Sequence, residues 1–400
     1  MKRKLLALLC AVSLMAAAAG VLSGCVDMQT ADSADADAPS IPNSNAGEAA
    51  EVTDDPGTAE TSPDNGATDV QAKTIDYEKA FAAFAPDAVM LRTGALSITW
   101  EELFLYLYGN ISDIERSTGV PPPWTAELYE DVTFAEAILE FSMENALFYK
   151  AVEYGTTEAG ISLNEEDFER IQRDFEEASA SYGGEEAFLD FLWETNGCRS
   201  RALFDYLVGI GLLANRYFTE YYGEEGEKLS DGDVEEYIKP YGYMMAKHIL
   251  RMRPQEGEDT ALAEIEAILE SLEAYSGDDF GAYFDELMHE HTEDDLYTFP
   301  NGYLFVFTDM VPTFSEACGR LEPGQHSGIV ESEFGYHIIY RLPIDYDEIP
   351  MSNYFQGDTS SLRRIVAMSL FEAVMGGWAD SMEIETTAEL DNIDLAAIFN

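Results

Sequence analysis

Apolar residues recur along this chain with two different periods, and the change falls near Tyr243. Before it the rhythm is helical. Thr99-Trp100-Glu101-Glu102 and Thr133-Phe134-Ala135-Glu136 each set a hydroxyl three residues ahead of a carboxylate. In that spacing the two side chains satisfy free backbone N–H groups at a helix start. The second box opens a long helix with an apolar stripe of Phe134, Ile138, Phe141, Phe148 and Val152. Asn164 caps a helix carrying Phe168, Ile171 and Phe175, and residues 185–193 form a short amphipathic helix. Leu203, Leu207, Ile210, Leu213 and Tyr217 mark the next long one, and residues 230–238 a last short one before Pro240. Residues 89–96 read as a short strand or extended segment.

From Tyr243 onward strands alternate with helices. Met244-Met245-Ala246-Lys247-His248-Ile249-Leu250-Arg251 reads as a strand, residues 262–272 as a helix, and residues 284–288 as part of a second. An irregular loop, a strand at 303–307 and a helix from Pro312 follow, and Gly335-Tyr336-His337-Ile338-Ile339-Tyr340-Arg341 closes the region as a buried strand. Strands at both ends predict a small α+β domain that closes on itself. Beyond it, Leu362, Val366, Leu370, Val374 and Trp378 share one face of a further helix. That face needs a partner, and the helical N-terminal region is the large candidate. The fold class is therefore α+β: a small antiparallel sheet with surrounding helices, inserted in a mostly α-helical domain. The helical domain takes residues 74–241 and is completed by 358–400, with the insert at 242–343.

The N-terminus changes the picture of where the chain works. Met1-Lys2-Arg3-Lys4 is basic, residues 5–21 are apolar, and Leu22-Ser23-Gly24-Cys25 resembles a bacterial lipobox. An apolar run this short, followed at once by polar sequence, reads as a cleaved signal over residues 1–24, with Cys25 as the lipidated residue. Several acyl chains there would hold the protein on the extracytoplasmic face of the cell membrane. Residues 25–73 are Ala, Asp, Ser, Pro, Thr, Asn and Gly for most of their length, too poor in apolar surface to offset chain entropy, and are expected to be a disordered tether. The formal net charge of −55 excludes nucleic acid as a partner. With 46% hydrophobic residues, the folded part still has enough apolar surface for a large core. Beyond Cys10 and Cys25, Cys198 and Cys318 are far apart in sequence; one disulfide between them or two isolated buried thiols both fit, the second better. His289-Glu290-His291 has two imidazoles without a third ligand at a recognisable spacing, so no metal is expected. No cofactor is implied either.

Five segments of the α+β region fall in the order of one family. Lys247-His248-Ile249-Leu250 opens it, and Phe284-Asp285-Glu286-Leu287 through Thr292-Glu293-Asp294 follows. Met310-Val311-Pro312-Thr313-Phe314, Leu321-Glu322-Pro323-Gly324-Gln325 with Ser327, and Phe334-Gly335-Tyr336-His337-Ile338-Ile339 complete it. Together they resemble the parvulin family of peptidyl-prolyl cis/trans isomerases over residues 243–342, and the helical flanks more loosely resemble the chaperone regions of PrsA- and SurA-type foldases. The resemblance implies that His248 and His337 are the paired histidines of the site and that Asp294 lies near the reacting amide. It implies that Leu304, Met310 and Phe314 form the apolar proline cup, with Phe334 at its edge. The family's Gly-Gly-Asp-Leu-Gly is replaced here by Asn301-Gly302-Tyr303-Leu304-Phe305, and the stretch from Phe307 to Met310 is shorter than usual.

The function implied is an extracytoplasmic isomerase and foldase acting on unfolded exported polypeptides with X–Pro bonds. The alternative is a catalytically weak or silent chaperone or adaptor on the same scaffold. A second copy of the chain is a further candidate partner. A two-lobed solute-binding lipoprotein is disfavoured, because the helical flanks lack a repeated βαβ rhythm.

Overall fold

The computed structural model describes residues 75–129, 131–254 and 260–400. The expected signal, the tether and Cys25 lie outside the described residues. Two compact units emerge: one reaches Leu213 and resumes over Gly376–Asn400, and the other is Ala214–Met375. The divisions fall inside the helices Arg201–Tyr222 and Leu362–Ser381, not at 241/242 or 343/358, where the sequence changes texture.

In the first unit the helix starts form as their caps dictate. Thr99 and Glu102 exchange hydrogen bonds ahead of Trp100–Thr118, Thr133 and Glu136 ahead of Phe134–Glu158, and Asn164 and Asp167 ahead of Glu165–Ser181. The short strand or extended segment expected at 89–96 forms a strand at Val89–Thr93, which pairs in a hairpin with Leu96–Thr99 through a turn with Gly94 at φ +56°. Trp100, Phe104 and Trp193 centre the core, and the last residues of the chain join it. Phe399 lies 5.8 Å from Phe104, ring to ring, and Glu385–Thr386 adds a strand beside Leu91 and Arg92.

Two stripes turn by part of a helix face. In Phe134–Glu158 the buried positions include Ala137, Ser142, Ala146 and Tyr149 as well as Ile138 and Val152, while Phe134, Phe141 and Phe148 are only half-buried. In Glu165–Ser181, Ile171 and Phe175 are buried but Phe168 is 59% exposed. Phe168 stands at a cleft of about 480 Å³ that Leu163, Ile171, Gly209 and Ile210 also line. A face chosen by hydrophobicity alone is blind to which neighbour is small enough to let a helix approach.

The second unit is built on one antiparallel sheet. Its strands are β1 (Met244–Met252), β2 (Tyr303–Phe305), β3 (Val330–Glu331) and β4 (Gly335–Leu342), in the order β2-β1-β4-β3. Helices α1 (Ala261–Ala274) and α2 (Phe280–His291) lie between β1 and β2 in the chain, and α3 (Pro312–Gly319) between β2 and β3. Because side chains alternate along a strand, the sheet sorts its residues onto two faces. Ile249, Tyr336 and Ile338 pack with Ile265, Leu272 and Phe284 of α1 and α2. Met244, Ala246, Phe305 and Ile339 point the other way and pack with Phe314 and Cys318 of α3 and with Met351.

Two glycines permit this sheet to form. Gly302 has φ +99°, and a Cβ there would stand 2.8 Å from the Ala246 carbonyl oxygen. Gly335 has φ +149°, and its Cβ would fall 2.2 Å from the Arg251 carbonyl oxygen. Each introduces a strand beside β1 at a point where only glycine combines that backbone angle with that approach.

The helix Leu362–Ser381 corrects an expectation. Its fully buried residues are Leu362, Arg363, Val366, Ala367, Phe371 and Met375, while Leu370, Val374 and Trp378 are half-buried; Leu370 packs with Leu362 and Val366, and the Trp378 ring lies where a Cβ on Gly155 would stand. Leu362 and Val366 pack with Val234, Ile238, Met245 and Leu304, so the helix begins against the α+β domain itself. Arg363 anchors that start. Its guanidinium is 2.6 Å from Asp347 Oδ1 and 2.8 Å from Asp231 Oδ1, and it donates to the Leu229 carbonyl. Cys198 and Cys318 are both buried free thiols.

Candidate functional site

β1 and β4 pair over their length, with His248 opposite Ile339 and Leu250 opposite His337. The two histidines are thus diagonal neighbours on one face, within reach of each other's rings. His248 Nδ1 lies 3.1 Å from His337 Nδ1, and both residues are buried. Asp294 reaches the same place because the segment after α2 hydrogen-bonds to β1: Leu250 N–H donates to Thr292 Oγ1 and Glu293 N–H to the Leu250 carbonyl. Asp294 Oδ2 is then 2.7 Å from His248 Nε2.

The network extends at both ends. Tyr303 donates its hydroxyl to Asp294 Oδ2 at 2.5 Å, and Ser332 Oγ is 2.6 Å from His337 Nε2. Phe334 N–H donates to Ser332 Oγ. These partners fix one ordering of hydrogens, inferred from the network as tautomers generally are. The Asp294 carboxylate only accepts, so a His248 ring with one hydrogen donates it from Nε2 and accepts at Nδ1. His337 therefore carries its hydrogen on Nδ1 and donates it to His248 Nδ1. The Ser332 hydroxyl then donates to His337 Nε2 while accepting from Phe334.

The ionisation states agree with that ordering. Burial pushes Asp294 up, but the donors His248 and Tyr303 outweigh it and hold the carboxyl below its ordinary value. Burial and the neighbouring His248 push His337 down to about 4, so at neutral pH its ring is uncharged. Burial, then the facing Asp294, pushes the Tyr303 phenol up, and it stays a donor.

Phe314 closes the site. Its ring meets His248 and His337 edge-on, with centroids at 5.2 and 5.6 Å. Met310 is half-buried and packs against the same cluster. Phe334 is 57% exposed, so its ring faces solvent while its N–H serves the network. Leu304 does not belong here. It is cross-strand from Met245 and fully buried with Val234, Ile238 and Leu362, on the sheet face opposite His248. One residue along a strand reverses the face, so Tyr303 and Phe305 flank the histidines instead. Tyr303 and Ser332 are the residues that sequence reasoning missed. Strand alternation counted back from Phe305 would have found Tyr303. Ser332 had no local signal, since its contact depends on the turn before Gly335.

Among the described residues, no group of three or more His, Cys, Asp or Glu side chains is placed to hold a metal. His289 Nδ1 lies 2.8 Å from the Asp285 carbonyl oxygen at the exposed end of α2.

Residues 248–342, which carry the sheet, the paired histidines and Phe314, match the family model described as rotamase, PPIC-type PPIASE domain. Two curated proteins are similar over part of the chain. Foldase protein PrsA of Halalkalibacterium halodurans is 38% identical over 121 residues, 29% of this chain and 32% of that protein. Foldase protein PrsA 2 of Bacillus anthracis is 29% identical over 171 residues, 42% of this chain and 51% of that protein. The chain thus spans about a third to a half of the curated relatives it matches. Among solved structures, PrsA from Bacillus subtilis covers 74% of this chain and 91% of its own at 17% identity and a TM-score of 0.24. The peptidylprolyl isomerase PrsA from Bacillus cereus covers 78% and 99% at 15% identity and a TM-score of 0.30. Superpositions this loose carry no weight beside the family match.

Proposed function

We propose that the chain is an extracytoplasmic peptidyl-prolyl cis/trans isomerase and foldase, held to the membrane through Cys25, that acts on exported unfolded polypeptides. The observation that carries the reading is the ordered Asp294–His248–His337 chain lying under Phe314 and Met310. Rotation about an X–Pro amide faces a barrier of about 18–20 kcal/mol because resonance gives the C–N bond partial double-bond character. No bond has to break. Phe314 and Met310 would grip the proline ring while the preceding carbonyl turns, and a dry surface disfavours the charge-separated resonance form. The carboxylate of Asp294 supplies a fixed negative charge beside the turning carbonyl, and the histidine pair holds that carboxylate in place. Asp294, His248 and His337 act electrostatically, with no nucleophile involved.

The lipobox motif and the two curated foldases support work outside the cytoplasm on client chains. Among the described residues no helix is long and apolar enough to cross a membrane, so attachment rests on the acyl anchor in this reading. The cleft beside Phe168 supports a second place where apolar client segments are held.

A silent parvulin-fold chaperone is favoured by one observation: Leu304 faces away from the histidines, and the fully buried Phe305 takes the inward position. An exchange assay on a proline tetrapeptide separates the two. A rate above buffer that His248→Ala abolishes supports the isomerase; no rate from the folded protein leaves the chaperone.

A further inference from the structure

The Asp294 carboxylate receives two donors on one oxygen. His248 Nε2 approaches Oδ2 at 2.7 Å from β1, and the Tyr303 hydroxyl at 2.5 Å from β2. The Tyr303 ring is itself held on both sides, with centroids 5.6 Å from His248 and 4.8 Å from Phe299. Gly302, immediately before it, fixes where β2 leaves the turn.

We propose that Tyr303 is a positioning residue: its hydroxyl locks the rotamer of Asp294 and so fixes the direction of hydrogen bonding through His248, His337 and Ser332. The inference rests on the isomerase reading for its catalytic consequence, but not for its structural one. A carboxylate held by His248 alone can rotate about its Cα–Cβ and Cβ–Cγ bonds and still keep a hydrogen bond. Two donors arriving from neighbouring strands remove that freedom. The same two contacts remove the choice of tautomer, since His248 must then offer its hydrogen from Nε2 and accept at Nδ1. Charge-assisted bonds of this kind are the strong ones, about twice a neutral bond.

The groups that face Asp294 are few enough to make the consequence readable. His248 faces it from β1 and Tyr303 from β2; His337 stands behind His248 on β4; Asp295 is next in the chain and donates a backbone hydrogen bond to it. Asp295 is itself held below its ordinary value, first by the Thr298 hydroxyl and then by the Tyr297 N–H, against the smaller opposing charge of Asp294. Of these groups Tyr303 alone can be altered by a single oxygen without changing a charge.

The test is Tyr303→Phe in the full chain, with Tyr303→Leu as a second variant that also removes the ring. Two readouts are taken. Histidine nitrogen NMR on the wild-type protein should show the Nε2–H form of His248 and the Nδ1–H form of His337. Tyr303→Phe should blur that assignment and raise the Asp294 titration midpoint by about one pH unit. In the proline exchange assay, Tyr303→Phe should lower kcat/KM roughly tenfold and move the acid limb of the pH profile up by about the same unit. A merely structural role would lower the melting temperature and leave the acid limb and tautomers unmoved, and that result overturns the proposal. If the wild-type chain has no isomerase rate, the isomerase reading fails alone. The NMR arm still decides Tyr303, and an unchanged Asp294 titration in Tyr303→Phe would refute it.

Discussion

His248 and His337 lie 89 residues apart in the chain, yet their Nδ1 atoms are 3.1 Å apart. A single hydrogen fits between them, and the acceptor-only Asp294 carboxylate, which draws the hydrogen of His248 to Nε2, leaves His337 to provide it. The pair is therefore directional, and its direction ends on Asp294.

Asp294→Asn keeps shape and removes charge. Both donors reach one oxygen, and an amide oxygen can still accept from His248 and Tyr303, so the variant isolates the loss of charge. Isomerase kcat/KM is expected to fall about tenfold or more, on the scale of a lost charge-assisted bond. A full rate in the proline exchange assay would place the reaction elsewhere.

Leu304 and Met310 separate core from cup. Leu304 is fully buried among Val234, Ile238 and Leu362, so Leu304→Ala should cost about 2–5 kcal/mol of stability in urea melts with the rate per folded molecule unchanged. Met310→Ala should do the reverse: a small stability change, a several-fold loss of rate and a raised KM. Equal effects from the two would refute the assignment of faces.

Acid should destabilise the second unit through His337. Its folded value lies near 4 against an ordinary 6.5, so the folded state refuses a proton that the unfolded chain takes. Stability from this group is complete above about pH 6.5, falls as pH drops, and is lost below about 4. The total is on the order of 3 kcal/mol. Asp294, held below its ordinary value, loses stability in the same direction at lower pH. Urea unfolding at pH 7 and pH 4.5 measures the slope, and His337→Phe should flatten it in that window.

Gly335→Ala tests the entry to β4. A methyl group there meets the Arg251 carbonyl oxygen at 2.2 Å in a backbone conformation that alanine avoids. The expected loss is about 2 kcal/mol or more, read as a lowered melting temperature, with isomerase activity falling in parallel because β4 carries His337. A melting temperature within experimental scatter of wild type would show that β4 accepts a side chain there.

Phe168→Glu should leave the first unit folded, because the ring is 59% exposed. It should weaken the suppression of aggregation of an unfolded client while leaving tetrapeptide isomerisation intact. Unchanged suppression would remove the cleft from client binding.

The elements were legible because their causes are local. Capping boxes at Thr99 and Thr133 start helices through atoms three residues apart, and alternation over residues 244–251 marks β1 by its own pattern. The motifs around His248 and His337 marked the site for the same reason. Faces were less legible: Phe168 and Leu304 were each assigned to the wrong side, since a helix or strand shows its apolar residues but not which neighbour arrives.

By itself, the sequence marked a helical region around a small α+β region with a paired-histidine motif. Only the tertiary structure decided that Tyr303 rather than Leu304 faces the histidines, that Ser332 meets His337 at Nε2, and that the helix beginning at Leu362 starts against the sheet. Those outcomes depend on strand register and on which surfaces meet. A one-residue change in register reverses every side chain of a strand, and the pairing of Tyr303 with Ala246 joins residues far apart in the chain.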